Sequence, residues 1–296
     1  MLDFIIIGGG TAGLSSAVYA CRANKNTLVI EREAFGGQIV DAPTVENYPG
    51  IQSISGAQFA SDLFDQAENA GATFKCESVL SVEKKGDTVV VTTDRDKYEA
   101  RAVIIAAGCE HRRLGIYGED MLVGSGVSYC ALCDGAFFKD RTVAVVGGGN
   151  AAITDALYLA GLCKTVYIIH RRDEFRAEPA LVERCRQLNT VRFITNATVS
   201  DLKGDEELNA VELNVGGKKQ TLAVDGLFVA IGQQPDNKAF GVKLDDSGYI
   251  LTDACCRTNI KGIYAAGDCR QKTVRQLTTA AADGAIAVAT AIEDLF

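Results

Sequence analysis

One pattern occurs twice in this chain. A short apolar run, a glycine turn and an alanine-rich stretch appear as DFIIIGGGTAGLSSAVYA from Asp3 and again as TVAVVGGGNAAITDALYLA from Thr142. Four to five consecutive apolar residues that stop at glycine read as a buried parallel strand, and the alanine-rich segment after the turn reads as a helix. Two copies about 140 residues apart indicate two nucleotide-binding units rather than a short-period solenoid. At 296 residues the chain also exceeds what one core normally serves.

Each copy is followed by segments of strand character and polar turns, then by a closing apolar strand: AVIIAAG from Ala102 and GLFVAIG from Gly226. The stretch from Thr73 to Gly108 alternates like a small antiparallel sheet, with turns at Gly86-Asp87 and Asp94-Arg95. The tail from Thr258 has a strand, a Gly-Asp turn and a long alanine-rich helix, too little to be a domain, so it is expected to pack back on the first unit. The fold class is therefore α/β, with two Rossmann-like three-layer dinucleotide-binding domains, each carrying a small antiparallel β insertion, the second inserted in the first. The expected boundaries are 1–111 with 240–296 for the first domain and 112–239 for the second.

The turns carry chemistry. Gly8, Gly10, Thr11, Ala12 and Gly13 sit between strand and helix, where backbone N–H groups at a helix start can meet a pyrophosphate. Glu31 closes the next strand 18 residues after Gly13, where a carboxylate accepts from ribose hydroxyls. In the second copy, Gly147, Gly149, Asn150, Ala151 and Ala152 form the turn, and the matched position 18 residues on is His170. His170, Arg171, Arg172 and Arg176 set a cation cluster there, suited to a 2′-phosphate, so NADPH is expected in preference to NADH. The competing reading is a solvated basic loop compensated by Asp173 and Glu174.

The formal charge of −8 argues against a protein that neutralises nucleic acid or anionic lipid, and no apolar stretch reaches the length of a membrane span. Ten cysteines and a start, MLDFIIIGGG, without a basic leader suggest reduced thiols and a cytoplasmic location. Only Cys130 and Cys133 have a spacing with a mechanism. A zinc site would need further ligands that two histidines and no second pair hardly supply. Two packed thiols remain possible, but the i, i+3 spacing suits a disulfide that opens and closes, and no metal is expected. Asp134 then offers a proton for the leaving thiolate, or simply a charge partner for the helix start. A hydride donor and a disulfide need a converter between them, which makes the first site an FAD site.

The chain resembles the bacterial low-molecular-weight thioredoxin reductases across essentially its whole length. The resemblance is carried by GGGTAGLSSAVYA, FGGQIVDAPTVENYPG, AAGCEHRRLGIYGED, GVSYCALCDGAFFKDRTVAVVGGGN, HRRDEFRAEP, FVAIGQQPD and TNIKGIYAAGDCRQKTVRQLTTAAADGAIA, in the family order. It implies FAD contacts at Gly10 to Gly13, Glu31, Arg32, Gly37, Gln38, Asn47, the backbone of Val79, Gly108, Gly267, Asp268, Arg275 and Gln276, with Asp268 on the ribityl chain. It implies NADPH in the second copy, a redox disulfide Cys130/Cys133 with Asp134 as acid and Cys133 toward the flavin, thioredoxin or a thioredoxin-like partner, and a homodimer. It also implies rotation of the inserted domain about crossings near 108–115 and 235–241. A ferredoxin-dependent flavin reductase or a dithiol oxidase on the same scaffold would be expected to lack the basic loop. A non-catalytic FAD/NADPH sensor would not need the cysteine pair. Cys255, Cys256 and Cys269 depart from the family pattern, and Cys269 is expected to fill a small apolar pocket.

Overall fold

A computed structural model describes residues 1–296, which divide into two compact units: Met1–Glu110 with Gln234–Phe296, and His111–Gln233. The crossings differ from the expected boundaries, most at the second. Residues 234–239 belong with the first unit, where Asn237 Nδ2 donates to the carbonyls of Gly248 and Cys269, each at 2.9 Å, just before Phe240 enters the core of Ile5 and Ile7.

In the first unit, β1 (Leu2–Ile7), α1 (Thr11–Arg22), β2 (Thr27–Glu31), α2 (Gly56–Asn69) and β3 (Thr73–Cys76) precede an antiparallel run of β4 (Val79–Lys85), β5 (Thr88–Thr93) and β6 (Lys97–Ile105). The strand order is β3-β2-β1-β6-β5-β4, and the short strand Ile263–Ala265 also pairs with β6. β3 is parallel to β2, not part of the antiparallel meander expected for it. The closing strand is not separate either. The first half of β6 pairs antiparallel with β5, while its second half runs parallel to β1 and to Ile263–Ala265.

The period-2 alternation of a strand sends Phe4 and Ile6 to one face and Ile5 and Ile7 to the other. Phe4 and Ile6 join a core with Leu14, Ala17 and, from the C-terminal helix Leu277–Leu295, Ala287 and Ala291. Ile5 and Ile7 join one with Val89, Val91 and Val242. Three layers follow directly. Truncating Phe4, fully buried, to alanine would cost about 3–5 kcal/mol.

The second unit repeats the plan. A parallel sheet of Val191–Ile194, Thr165–Ile169, Thr142–Val146, Gly226–Val229 and Val127–Ser128, in that order, is its centre. Val143 and Val145 face helices α3 (Ala131–Asp134), α4 (Asn150–Ala160) and α5 (Pro179–Arg186), sharing a core with Ala131, Ile153 and Val182. Ala144 and Val146 face the other way, into a core with Val199, Val211 and Leu213 of the three-stranded antiparallel sheet Ala197–Lys203, Ala210–Val215 and Lys218–Ala223. No helix of the chain is long and apolar enough to cross a membrane.

Candidate functional site

In the first unit, parallel β1 and β2 deliver the Gly8–Gly13 turn and Glu31 side by side. Gly10 is the N-cap of α1, so the first-turn amides carry no side-chain cap and stay available to an anion. Glu31 Oε2 accepts from the Gly9 amide at 2.7 Å and Oε1 from the Arg32 amide at 2.8 Å, which holds the carboxylate over the turn. Gly36 donates to the Gly9 carbonyl at 2.8 Å, and Gly36–Gly37 lie against Gly9–Gly10 to make the second wall of a backbone-lined cradle. Gly13 is tightest: a Cβ there would stand 1.8 Å from the Gly8 carbonyl oxygen. Gly13→Ala is therefore expected to force the turn open, at a cost of about 1–3 kcal/mol or more. Flavin content of the purified variant and its thermal midpoint check this, and a fully flavinated, equally stable variant would contradict it.

The other residues that the resemblance assigns to this site belong to the same unit. Asn47 Nδ2 donates to Gln276 Oε1 at 3.2 Å, and Gln38 Nε2 donates to the Cys109 carbonyl. The Arg32 guanidinium pairs with Glu110 and Glu33. The Glu77 amide donates to the Glu31 carbonyl at 2.9 Å, which ties the approach to β4, and so Val79, to the end of β2. Gly108 has open space where a Cβ would project.

Beside them, Asp268 Oδ1 and Arg275 Nε are buried without a hydrogen-bond partner. Arg275 also lies over the Tyr249 ring at 4.2 Å. Burial raises the Asp268 carboxyl, opposed by Lys272 and Arg275. Orphaned buried polar atoms and a glycine cradle in one unit fit a bound dinucleotide with a polyol chain, whose hydroxyls would supply the missing partners. Cys109, whose thiol burial pushes up to about 11, adjoins Asp268 and Arg275. Cys269 is fully buried, its thiol 3.3 Å from the Ile105 and Ala266 carbonyl oxygens, so it fills the core as expected.

In the second unit, Gly149 caps α4 as Gly10 caps α1. Asn150 and Glu178 bridge the start of α4 to that of α5: Asn150 Nδ2 donates to Glu178 Oε1 at 3.1 Å, and the Glu178 amide returns to Asn150 Oδ1 at 2.8 Å. Ala151 is exposed in the first turn, whereas Ala152 packs under Gly147. His170 departs from its expected role. Its ring is buried against Gly148, stacks on Phe175 at 4.9 Å, and has Nε2 3.1 Å from the Glu174 carbonyl oxygen. Burial, with help from the neighbouring arginines, lowers its pKa, so it is a neutral ring rather than one of the cations. The cation set is Arg171, Arg172 and Arg176, all exposed. Amide hydrogen bonds from Arg176 at 2.7 Å and Ala177 at 3.1 Å to the Gly148 carbonyl hold that loop on the glycine turn.

Cys130 and Cys133 form a disulfide with their Cα atoms 5.3 Å apart. Cys130 caps α3, and its Sγ accepts from the Cys133 amide at 3.2 Å. Asp134 Oδ2 accepts from the buried Ser128 hydroxyl at 2.6 Å, and burial raises the Asp134 carboxyl despite that bond. A carboxyl raised in this way keeps its proton further toward neutral pH, as a donor to a leaving thiolate requires. Ser128, six residues upstream across a strand end, carried no periodic signal in the sequence. Nowhere do three or more His, Cys, Asp or Glu side chains gather to hold a metal.

Two dinucleotide-binding units, one bearing an exchangeable disulfide with an acid beside it, define a disulfide oxidoreductase. The profile of the family described as pyridine nucleotide-disulphide oxidoreductase matches residues 2–284, and the chain belongs to that family. It is 45% identical over 291 residues to the thioredoxin reductase of Listeria monocytogenes, covering 96% of this chain and 91% of that protein. It is 43% identical to that of Bacillus subtilis, covering 96% of this chain and 92% of the relative. Among solved structures it is similar to the thioredoxin reductase of Streptococcus pyogenes, with a TM-score of 0.95, 40% identity, and coverage of 100% of this chain and 98% of the other.

Proposed function

We propose that this chain is an NADPH-dependent, FAD-containing reductase that returns thioredoxin, or a thioredoxin-like protein, to its dithiol form. The observation that carries the reading is the Cys130–Cys133 disulfide backed by Asp134, in the unit whose glycine turn is flanked by three exposed arginines. When bound, NADPH supplies a hydride and FAD turns it into the electron pair that a disulfide accepts. Gly8 to Gly13, Glu31, Arg32, Gly37, Gln38, Asn47, Val79, Gly108, Gly267, Asp268, Arg275 and Gln276 would hold FAD. Gly147, Gly149, Asn150, Ala151 and Ala152, with His170 as packing for the loop and Arg171, Arg172 and Arg176 on the 2′-phosphate, would hold NADPH.

In the dithiol state, the Cys130 thiolate attacks one sulfur of the partner disulfide and forms a mixed disulfide, releasing the partner's other sulfur as a thiolate. Cys133, as thiolate, then attacks Cys130 Sγ, re-forming Cys130–Cys133 and releasing the partner's second sulfur. Two protons complete the partner's dithiol, and Asp134 is placed to supply one. Asp134→Asn is expected to slow turnover about 10²-fold. The loss should be greatest on the acid side, where wild-type Asp134 holds its proton. As pH rises through the raised pKa of Asp134, wild-type turnover should fall toward the variant's flat profile. A variant that keeps the wild-type rate and the same pH limb would remove Asp134 from the reaction.

The chain is further proposed to work as a homodimer in the cytoplasm, where its eight free cysteines stay reduced. The unit carrying the disulfide would turn about the crossings at Glu110–His111 and Gln233–Gln234, so that one disulfide serves both the flavin and the protein partner. The test of the whole reading is NADPH oxidation by the purified chain with and without oxidised thioredoxin. Oxidation that depends on thioredoxin supports it, and a rate unchanged by thioredoxin overturns it.

A further inference from the structure

Behind the Gly267–Asp268 turn lies a buried group of charges that the sequence left unassigned. Asp283, in the C-terminal helix, is 7% exposed. Its Oδ1 accepts from Arg270 Nη1 at 2.9 Å, and its Oδ2 accepts from Lys272 Nζ at 2.8 Å and from the Gly267 amide at 3.0 Å. The side chains of Arg270 and Lys272 are 12% and 11% exposed. Two cations on one carboxylate leave a surplus positive charge where an uncompensated charge is costly.

Arg270 is fully engaged elsewhere: Nε donates to Thr252 Oγ1 at 2.8 Å and Nη2 to the Asp253 carbonyl at 3.1 Å, with Cys256 Sγ 3.5 Å from Nη1. Arg270 and Asp283 already make a complete pair that ties the helix to the Thr252–Cys256 loop. Lys272 has no hydrogen-bond partner other than Asp283, so packing alone does not account for it. Its charge also acts on Asp268, whose Oδ1 is buried and unpartnered. Gly267 itself has φ +75, and a Cβ on it would stand 2.7 Å from that of Ala12, so the turn is pressed against the start of α1 and has little freedom of its own.

We propose that Lys272, seated on Asp283 beside the Gly267 amide, is a positioning residue for the cofactor: it sets the Gly267–Asp268 turn and keeps the Asp268 carboxylate free to accept from the hydroxyls of a flavin nucleotide's polyol chain. Lys272 acts through Asp268 and touches no reacting atom. This rests on the flavin reading of the first unit, and the two fail in different ways.

The experiment is FAD release from the holoenzyme on dilution, followed by flavin fluorescence, for wild type, Lys272→Met, Lys272→Arg, Asp268→Asn and the double variant Lys272→Met with Asp268→Asn. Lys272→Met should weaken FAD binding about tenfold, about 1.4 kcal/mol, and Lys272→Arg should stay within about twofold of wild type. In the Asp268→Asn background, Lys272→Met should add less than about twofold, because a residue acting through Asp268 has nothing left to act on. Wild-type affinity in Lys272→Met, or the same tenfold loss in both backgrounds, overturns the proposal, the latter by making Lys272 a scaffold residue only. If Lys272→Met does not fold, Lys272→Gln enters the same cycle. A wild-type chain that binds no FAD overturns the flavin reading instead.

Discussion

Serine in place of Cys133 is expected to lower thioredoxin reduction by at least about 10³-fold while the chain stays yellow. A hydroxyl cannot form the sulfur–sulfur bond that accepts the electron pair, so no step after flavin reduction has an acceptor. Cys130→Ser should fail equally, because it removes the sulfur that meets the partner. Neither change touches the cradle around Gly8–Gly13, which is built in the other unit, so FAD and its reduction by NADPH should persist. Cys163 and Cys185, buried among the helices of the second unit, supply the control: Cys163→Ser should keep activity. Turnover with oxidised thioredoxin and the visible spectrum of each variant give the answer. Wild-type turnover in either active-site variant would eliminate the dithiol route.

Coenzyme choice should respond almost as strongly. Replacing Arg171, Arg172 and Arg176 together with alanine should raise the Michaelis constant for NADPH about 10²-fold and that for NADH less than about threefold. A charge-assisted hydrogen bond contributes about 1.5–3 kcal/mol, but all three side chains are exposed and solvent screening cuts each contribution well below that. About 2.7 kcal/mol for the set gives the 10²-fold figure. His170→Asn should behave differently, because the neutral ring holds the loop rather than the phosphate: both coenzymes should weaken, along with the stability of the unit. Equal losses for NADPH and NADH in the triple variant would show that the loop does not read the 2′-phosphate.

The glycine turns and the cysteine pair were legible because each is local: strand, turn and helix follow one another within about 20 residues, and their chemistry follows from spacing. His170 was misjudged because position alone placed it in line with Glu31. Its ring is claimed by Phe175 and by Gly148, which has no side chain to keep it away. β3 was misplaced because four residues, TFKC, with exposed and half-buried positions do not reveal whether the neighbouring strand is parallel. The second crossing was set too late because Asn237 looks like linker until its side chain is seen donating to the Gly248 and Cys269 carbonyls. Lys272, Arg270 and Asp283 meet only through the fold, although a lone aspartate within TTAAADGAIAVA was a visible clue: a charge in so apolar a helix has to find a buried partner.

On the proposed function, one chain holds two two-electron centres, a flavin and the Cys130–Cys133 disulfide, both filled from NADPH and emptied by thioredoxin. Anaerobic reductive titration of the purified protein tests it most directly, with the flavin absorbance near ~450 nm followed throughout. Wild type should take up two equivalents of a two-electron donor per chain before bleaching is complete, Cys133→Ser should take up one, and oxidised thioredoxin should restore the colour of the wild type only. One equivalent for wild type, or recovery of colour with thioredoxin in the Cys133→Ser variant, would contradict it.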